Sequence, residues 1–279
     1  MPVTQESWKA TRVAIADTTD RFAELVVRSD PAAMATPDWS VAVTAAHVAS
    51  LAWMNTGLVG PDARPSVAAV EDALLGCTVD TVAEFNRRAL EVFTERDPRV
   101  LVTRLRADVD HVLAATEDTD PTRTVTWLGG SQLPIIGMLA HLVNELLIHG
   151  HDIARATGAD WEIPAADAAL FFEAFFVELL RRDIGDLLAN DEPPRERRIA
   201  VEFRSDHTTP VTLVLHRGEV SVEEPGGPTD VRIRFDPATV NLMLFHRISK
   251  ARAVLSGRVL AWGRRPWLLP AFLRTVRCP

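Results

Sequence analysis

The stretch His141-Leu-Val-Asn-Glu145-Leu-Leu-Ile-His149-Gly-His151-Asp152 places five side chains able to bind a metal or carry a proton within twelve residues of otherwise apolar, helix-favouring sequence. Residues four apart stand one turn above another on the same face of an α-helix, so Glu145 and His149 can close on one ion from the same side. A carboxylate oxygen and an imidazole nitrogen suit a borderline divalent ion such as zinc. A catalytic site adds a third protein ligand and keeps one position open. Each further step of four residues drifts about 40° around the helix, so His141 and His149 point about 80° apart. His141 therefore reads as a group that supports the site or faces substrate, rather than as a fourth ligand.

The third ligand has to come from another segment. The best candidate is His47, in Asp38-Trp39-Ser-Val-Ala-Val-Thr-Ala-Ala-His47-Val-Ala-Ser-Leu, a second apolar helix with a single imidazole. Taken alone, such a histidine is more often a satisfied core residue, and an E-x-x-x-H pair also arises without a metal. The two signals together favour the metal. Asp152 lies three residues after His149, where it can accept the second N–H of a ligand imidazole or carry a proton. A salt bridge to Arg155 is the plain structural alternative. His151 is a further proton-carrying candidate.

Pro37-Asp-Trp39 and His47, followed by Glu145-x-x-x-His149-x-x-Asp152-Ile-Ala-x-Ala-Thr-Gly158, resemble the metal-binding domain of mycothiol-dependent maleylpyruvate isomerases and their DinB-like relatives. The resemblance implies a four-helix bundle, a zinc ion held by His47, Glu145 and His149, and the thiol mycothiol as co-substrate. It also sets Trp127, in Trp127-Leu-Gly-Gly-Ser, beside the metal mouth and puts Asn86 on a long third bundle helix, where it could hydrogen-bond substrate. The chain departs from the pattern at Leu142-Val143-Asn144, where many relatives carry an arginine about one turn before the glutamate.

The chain's 279 residues are 47% hydrophobic and 24% charged, enough to bury a sizeable core and to form two domains. No apolar run reaches the roughly 18 residues that span a bilayer, and the N-terminus lacks a signal-peptide layout. These features lead to the expectation of a cytoplasmic protein without a membrane partner, monomeric or homodimeric. Cys77 and Cys278 form no metal or disulfide pattern, so thiol chemistry needs a thiol from outside. The net charge of −8 argues against nucleic acid as a partner. After Asp236 there is no acidic residue, while eight arginines and lysines follow. This basic tail reads as docking onto the acidic first part of the chain, or as a wall for an anion, with Arg258 and Arg264 as candidates to hold a carboxylate. Arginine dominates over lysine, which occurs only as Lys9 and Lys250, a bias of GC-rich coding such as that of actinobacteria.

Along the chain, helical periodicity covers 4–28, then a segment opened by Pro37-Asp38-Trp39 with Asp38 or Ser40 as cap and running to Val59, then 66–116, then the central helix that Pro134 can start and Gly158 ends, and then 165–188 with an aromatic core stripe. Gly150, inside the central helix, allows close approach of another helix or a cofactor. The charged, proline-containing run 190–197 marks the domain boundary. Beyond it the period changes to alternation at Ile199–Phe203, Val211–Leu215, Glu219–Val222 and Val231–Phe235. An Asp236-Pro237 helix start, a late strand and a last helix complete an order that resembles a sterol-carrier-protein-like domain.

The expected fold is therefore α+β, with a DinB-like bundle and connecting helix over 1–190 and a small, mainly antiparallel sterol-carrier-protein-like domain over 196–279. The expected function is a metal-dependent, mycothiol-using S-transferase or isomerase acting on an electrophilic small molecule. A thiol-independent metalloenzyme with an activated water, and a non-catalytic binder of lipid-like molecules, are the alternatives.

Overall fold

The computed structural model describes residues 3–59, 70–189 and 196–277. The chain is α+β, a helical N-terminal region followed by a five-stranded sheet with short helices. The run Gly60-Pro-Asp-Ala-Arg-Pro65, expected to end the second helix, and residues 190–195 of the expected linker lie outside the described residues, as does Cys278.

Four long helices form the bundle: α1 (Gln5–Arg28), α2 (Val41–Val59), α5 (Pro98–Ala115) and α6 (Ile135–Thr157). Helices α1 and α2 each pack against both α5 and α6. Thr4 starts α1 through a capping box: its hydroxyl accepts from the Ser7 N–H at 3.0 Å while the Ser7 hydroxyl accepts from the Thr4 N–H. The buried residues Trp8, Ile15, Phe22 and Val26 then repeat at helical spacing. Ser40 receives the Val43 N–H at the head of α2. Pro134 stands just before α6, and Gly158 ends it in the left-handed conformation at φ 72°. Helix α6 is buried from Ile135 through Gly150, which makes it the bundle's axis.

The expected long third helix is three pieces. Short helices α3 (Glu71–Leu75) and α4 (Val82–Val92) precede α5. The chain turns at Gly76–Thr81 and again before Asp97, whose carboxylate accepts the Arg99 N–H at 2.8 Å and, with Pro98 in the first turn, restarts a helix. Apolar periodicity runs through all three pieces; Asp97-Pro98 marks the second break in the sequence, while the first does not show in the pattern. A hairpin of β1 (Thr124–Thr126) and β2 (Gln132–Pro134) precedes α6. Its turn needs Gly129, at φ 66°, because a Cβ there would lie 2.7 Å from the Cys77 carbonyl oxygen and from the Leu187 nitrogen.

Helix α7 runs over 165–182, six residues shorter than expected, and its middle, Phe171–Val177, is π-helical. It forms a wall shared by the two halves of the molecule. Phe172 meets Phe203 and Phe235 of the sheet at 5.4 and 4.9 Å, whereas Phe175 meets His141 of α6 at 5.0 Å. Each such phenylalanine contributes about 2–3 kcal/mol by burial.

The sheet comprises β3 (Ile199–Ser205), β4 (Thr208–His216), β5 (Glu219–Glu223), β6 (Val231–Phe235) and β7 (Val259–Trp262), in the order β5-β4-β3-β6-β7. It is mixed, because β3 and β6 pair in parallel while the other neighbours are antiparallel. Asp236 caps α8 (Pro237–Leu244) by accepting the Thr239 N–H at 2.9 Å. The segments α9 (Lys250–Leu255) and α10 (Leu269–Thr275) follow on either side of β7. Part of the basic tail docks on the bundle's acids: Arg247 pairs with Asp152, and Arg277 with Asp80. Among the described residues no helix is long and apolar enough to cross a membrane.

Candidate metal centre

Helices α2 and α6 cross with His47, Glu145 and His149 facing one another, all buried. One ligand atom from each lies within 4.8 Å of the others. His47 Nε2 is 3.2 Å and His149 Nε2 is 3.4 Å from the same oxygen of Glu145. Ligands about 2.0–2.1 Å from a tetrahedral ion stand about 3.3 Å apart along each edge, so the two separations match two edges of such a site. Two imidazole nitrogens and a carboxylate oxygen are a donor set for zinc and other borderline divalent ions. The residues fit a metal ion.

The electrostatics follow from burial opposed by pairing. Burial alone would raise the Glu145 carboxyl, but hydrogen bonds from His149 and His47 hold it well below the carboxylate range. Burial would lower His149, but Asp152 and Glu145, one on each ring nitrogen, raise it. His47 is lowered by its burial, against the hydrogen bond to Glu145. Its Nδ1 has no hydrogen-bond partner among the described residues, and the ring rests against Trp39 at 4.8 Å, which also lies 6.0 Å from His149.

Asp152 sits where the i+3 spacing sends it, with its carboxylate 3.2 Å from His149 Nδ1. That bond fixes the orientation of the His149 ring, with Nε2 on the side of Glu145 and His47. Its other partner is Arg247, not Arg155: the Arg247 Nε donates to Asp152 at 2.9 Å. Arg247 and Phe245 reach the site because His246 between them is left-handed, at φ 60°, an unfavourable conformation for a non-glycine residue.

The triad lies in the wall of a cavity of about 240 Å³ bounded chiefly by Leu51, Met54, Leu58, Phe85, Trp127 and Phe245. His141 also faces this cavity, with Nε2 3.6 Å from the second Glu145 oxygen and its ring between Trp127 and Phe175. Burial lowers its pKa. Asn86, on α4, lines both this chamber and an outer one of about 870 Å³ whose lining includes the charged residues Asp38, Arg87, Glu91, Arg96 and Arg155.

The structure thus brings His47, Glu145, His149, Asp152, His141, Trp127 and Asn86 together. Three other expected site residues lie elsewhere. His151 is two residues past His149, about 200° around the helix; it is half-buried and does not line the chamber. Arg258 and Arg264 are exposed on the sheet domain and line neither chamber. Gly150 admits the Trp161 ring rather than a cofactor: a Cβ there would be 2.1 Å from Trp161 Cζ2. Arg247 and Phe245 are site residues that the sequence does not single out: Phe245 ends the helix started by Asp236-Pro237, and Arg247 is one of eight basic residues of the tail.

The profile of the family described as "Mycothiol maleylpyruvate isomerase N-terminal domain" matches residues 12–154. The chain belongs to that family. The matched segment contains the whole triad and Asp152. Two solved structures are similar, the mycothiol-dependent maleylpyruvate isomerase and a point variant of it, at 14% and 13% identity; each alignment covers 91% of this chain and 92% of the other, with TM-scores of 0.49 and 0.48. No curated protein matches the sequence.

Proposed function

We propose that the protein is a metal-dependent enzyme that uses a thiol, with mycothiol as that thiol, to attack an electrophilic small molecule, and that it is an S-transferase in preference to an isomerase. The observation that carries this reading is a buried His-Glu-His donor set opening onto a mainly apolar chamber that adjoins a wider one with charged side chains at its rim. A divalent ion held by His47, Glu145 and His149 would supply the charge that favours the deprotonated, nucleophilic form of a thiol.

The remaining work falls to the chain's own side chains. Asp152 keeps the His149 ring in register, and Arg247 keeps Asp152 in place. His141, kept neutral by burial, can accept the thiol proton at a ring nitrogen. Trp127, Phe85 and Leu51 keep water from the electrophile, which limits hydrolysis. Transfer needs only a bond from sulfur to the electrophilic carbon and departure of a leaving group. Isomerisation needs addition, rotation and elimination.

The test is elemental analysis of protein purified without chelator, beside a His47→Ala/Glu145→Ala double variant, followed by assay of thiol consumption with and without mycothiol. About one divalent ion per chain, lost in the variant along with thiol consumption, is the expected result. A metal-free parent, or thiol consumption that survives in the variant, overturns the reading.

A further inference from the structure

The chamber and the charges around it define what kind of electrophile the site accepts. Its walls are hydrocarbon and aromatic, from Leu51, Met54, Leu58, Phe85 and Phe245. Arg247 is the one guanidinium among the described residues that line it, and that guanidinium is already bound to the Asp152 carboxylate and the Phe245 carbonyl. Arg258 and Arg264, the sequence candidates for gripping a carboxylate, are exposed elsewhere, and Arg87, Arg96 and Arg155 line the outer chamber but not this one.

The charge count points the same way. Glu145 and Asp152 bring two negative charges against the one positive charge of Arg247, so a divalent ion and one thiolate leave the site neutral. No positive charge of the inner chamber is left for a second anion; Arg87, Arg96 and Arg155 belong to the outer chamber, where Arg87 is held by Glu84 and Glu91 and Arg96 by backbone carbonyls. A dicarboxylate in the chamber would give up its hydration without gaining partners for its charges, which is strongly unfavourable.

We infer that the inner chamber takes an uncharged, apolar electrophile, an aryl or branched alkyl compound, rather than a dicarboxylic acid; the inference rests on the thiol-using reading above. Size follows from volume: a dry apolar cavity of about 150 Å³ holds benzene, so one of about 240 Å³ holds a substituted ring of about ten heavy atoms. The polar thiol body then lies in the outer chamber, and its sulfur meets the electrophile beside Asn86 and the triad. Specificity is set by the residues of α2 and α4 rather than by an anion clamp.

Equilibrium binding tests the assignment without turnover. Zinc-loaded protein with saturating 2-mercaptoethanol is titrated calorimetrically with 4-nitrobenzyl alcohol, a neutral and unreactive probe, and with succinate. The alcohol is expected to bind saturably and at least tenfold more tightly than succinate. Leu58→Trp, which fills the chamber from a partly exposed position, should weaken the alcohol at least fivefold at unchanged zinc content, and Met54→Phe should do so to a lesser degree. Succinate binding as tightly as the alcohol, no saturation by the alcohol, or full affinity in both filled variants overturns the inference. In a parallel arm, 4-nitrobenzyl chloride is supplied with mycothiol; the C–S bond forms, the C–Cl bond breaks, chloride leaves and the thiol proton passes to solvent. Binding of the alcohol without turnover of the chloride supports the chamber assignment and removes the thiol-using reading instead.

Discussion

The guanidinium of Arg247 and the carboxylate of Asp152 form a two-point ion pair between the sheet domain and the bundle, with Nε 2.9 and 3.2 Å from the two carboxylate oxygens. Because the same carboxylate holds His149 Nδ1, this ion pair links the sheet domain to a ring of the triad. Asp152 is almost fully buried, while the Arg247 side chain is 22% exposed. Asp152→Asn should weaken metal binding about 10–100-fold, as is usual when the carboxylate behind a ligand histidine is lost. Arg247→Ala should lower stability by about 2 kcal/mol, between surface and buried ion-pair values, and Arg247→Lys should restore less than half of it because a lysine cannot make the planar two-point contact. Competition with a chromophoric chelator and chemical denaturation measure the two effects.

Metal binding should be coupled to proton release near neutral pH. Without an ion His149 is raised above its ordinary value by Asp152 and Glu145, and its proton must leave before Nε2 can donate to a metal. Metal affinity should therefore increase as pH rises through the raised value. The contribution of His149 to the stability of the metal-free protein has the opposite dependence: fully present below about pH 6.5, the unfolded value, and lost as pH rises through the folded value. Calorimetry in buffers of different ionisation enthalpy should report proton release on zinc binding, smaller in Asp152→Asn; equal heats in all buffers would contradict the coupling.

Gly150→Ala should destabilise the protein although alanine is the better helix former. The gain of about 1 kcal/mol in helix propensity is outweighed by a Cβ 2.1 Å from the Trp161 ring, whose displacement also breaks the 2.9 Å bond from Trp161 Nε1 to the Leu147 carbonyl and the stacking of Arg21 on that ring. A net loss of about 1–2 kcal/mol is expected, within the range for overpacking. In a Trp161→Ala background the same substitution should become neutral or stabilising, a coupling that a double-mutant cycle in urea resolves.

Asn241→Ala should loosen the junction between the two halves. Its amide donates to Asn144 Oδ1 at 2.9 Å and to the Ala168 carbonyl at 3.0 Å, and both asparagines are buried. Removing the donor strands acceptors beside Glu145 at a cost of about 1–3 kcal/mol. Hydrogen exchange should show the larger effect at the 165–182 helix and the 237–247 segment, with little change in α1.

The readable parts of the site were those that depend on spacing within one helix. Glu145, His149 and Asp152 follow from steps of four and three, and His47 stood out as the lone imidazole of an apolar helix. Arg247 could not be read in this way. It follows a left-handed histidine, where no periodicity operates, and the basic tail offers eight similar side chains, so attention fell on Arg258 and Arg264. The strands were legible from alternation, but the parallel pairing of β3 with β6 was not, because alternation identifies the faces of a strand and not its neighbour. The break between α3 and α4 escaped for a related reason, since apolar periodicity survives a short turn, whereas Asp97-Pro98 marks the break before α5.

The π-helical turn at Phe171–Val177 works as a gear in the wall between the two halves. A helix with one extra residue in a turn changes the bearing of everything beyond it, which is how one short segment addresses the bundle with Phe175 and the C-terminal half with Phe171 and Phe172. Deleting a single residue there would give an ordinary helix but swing the two ends by about 100° relative to each other. Helix and sheet would each remain well formed while Arg247 lost its line to Asp152. Evolutionary drift in the length of this segment is therefore a route by which the fold could keep its shape and detach the domain that orients its triad.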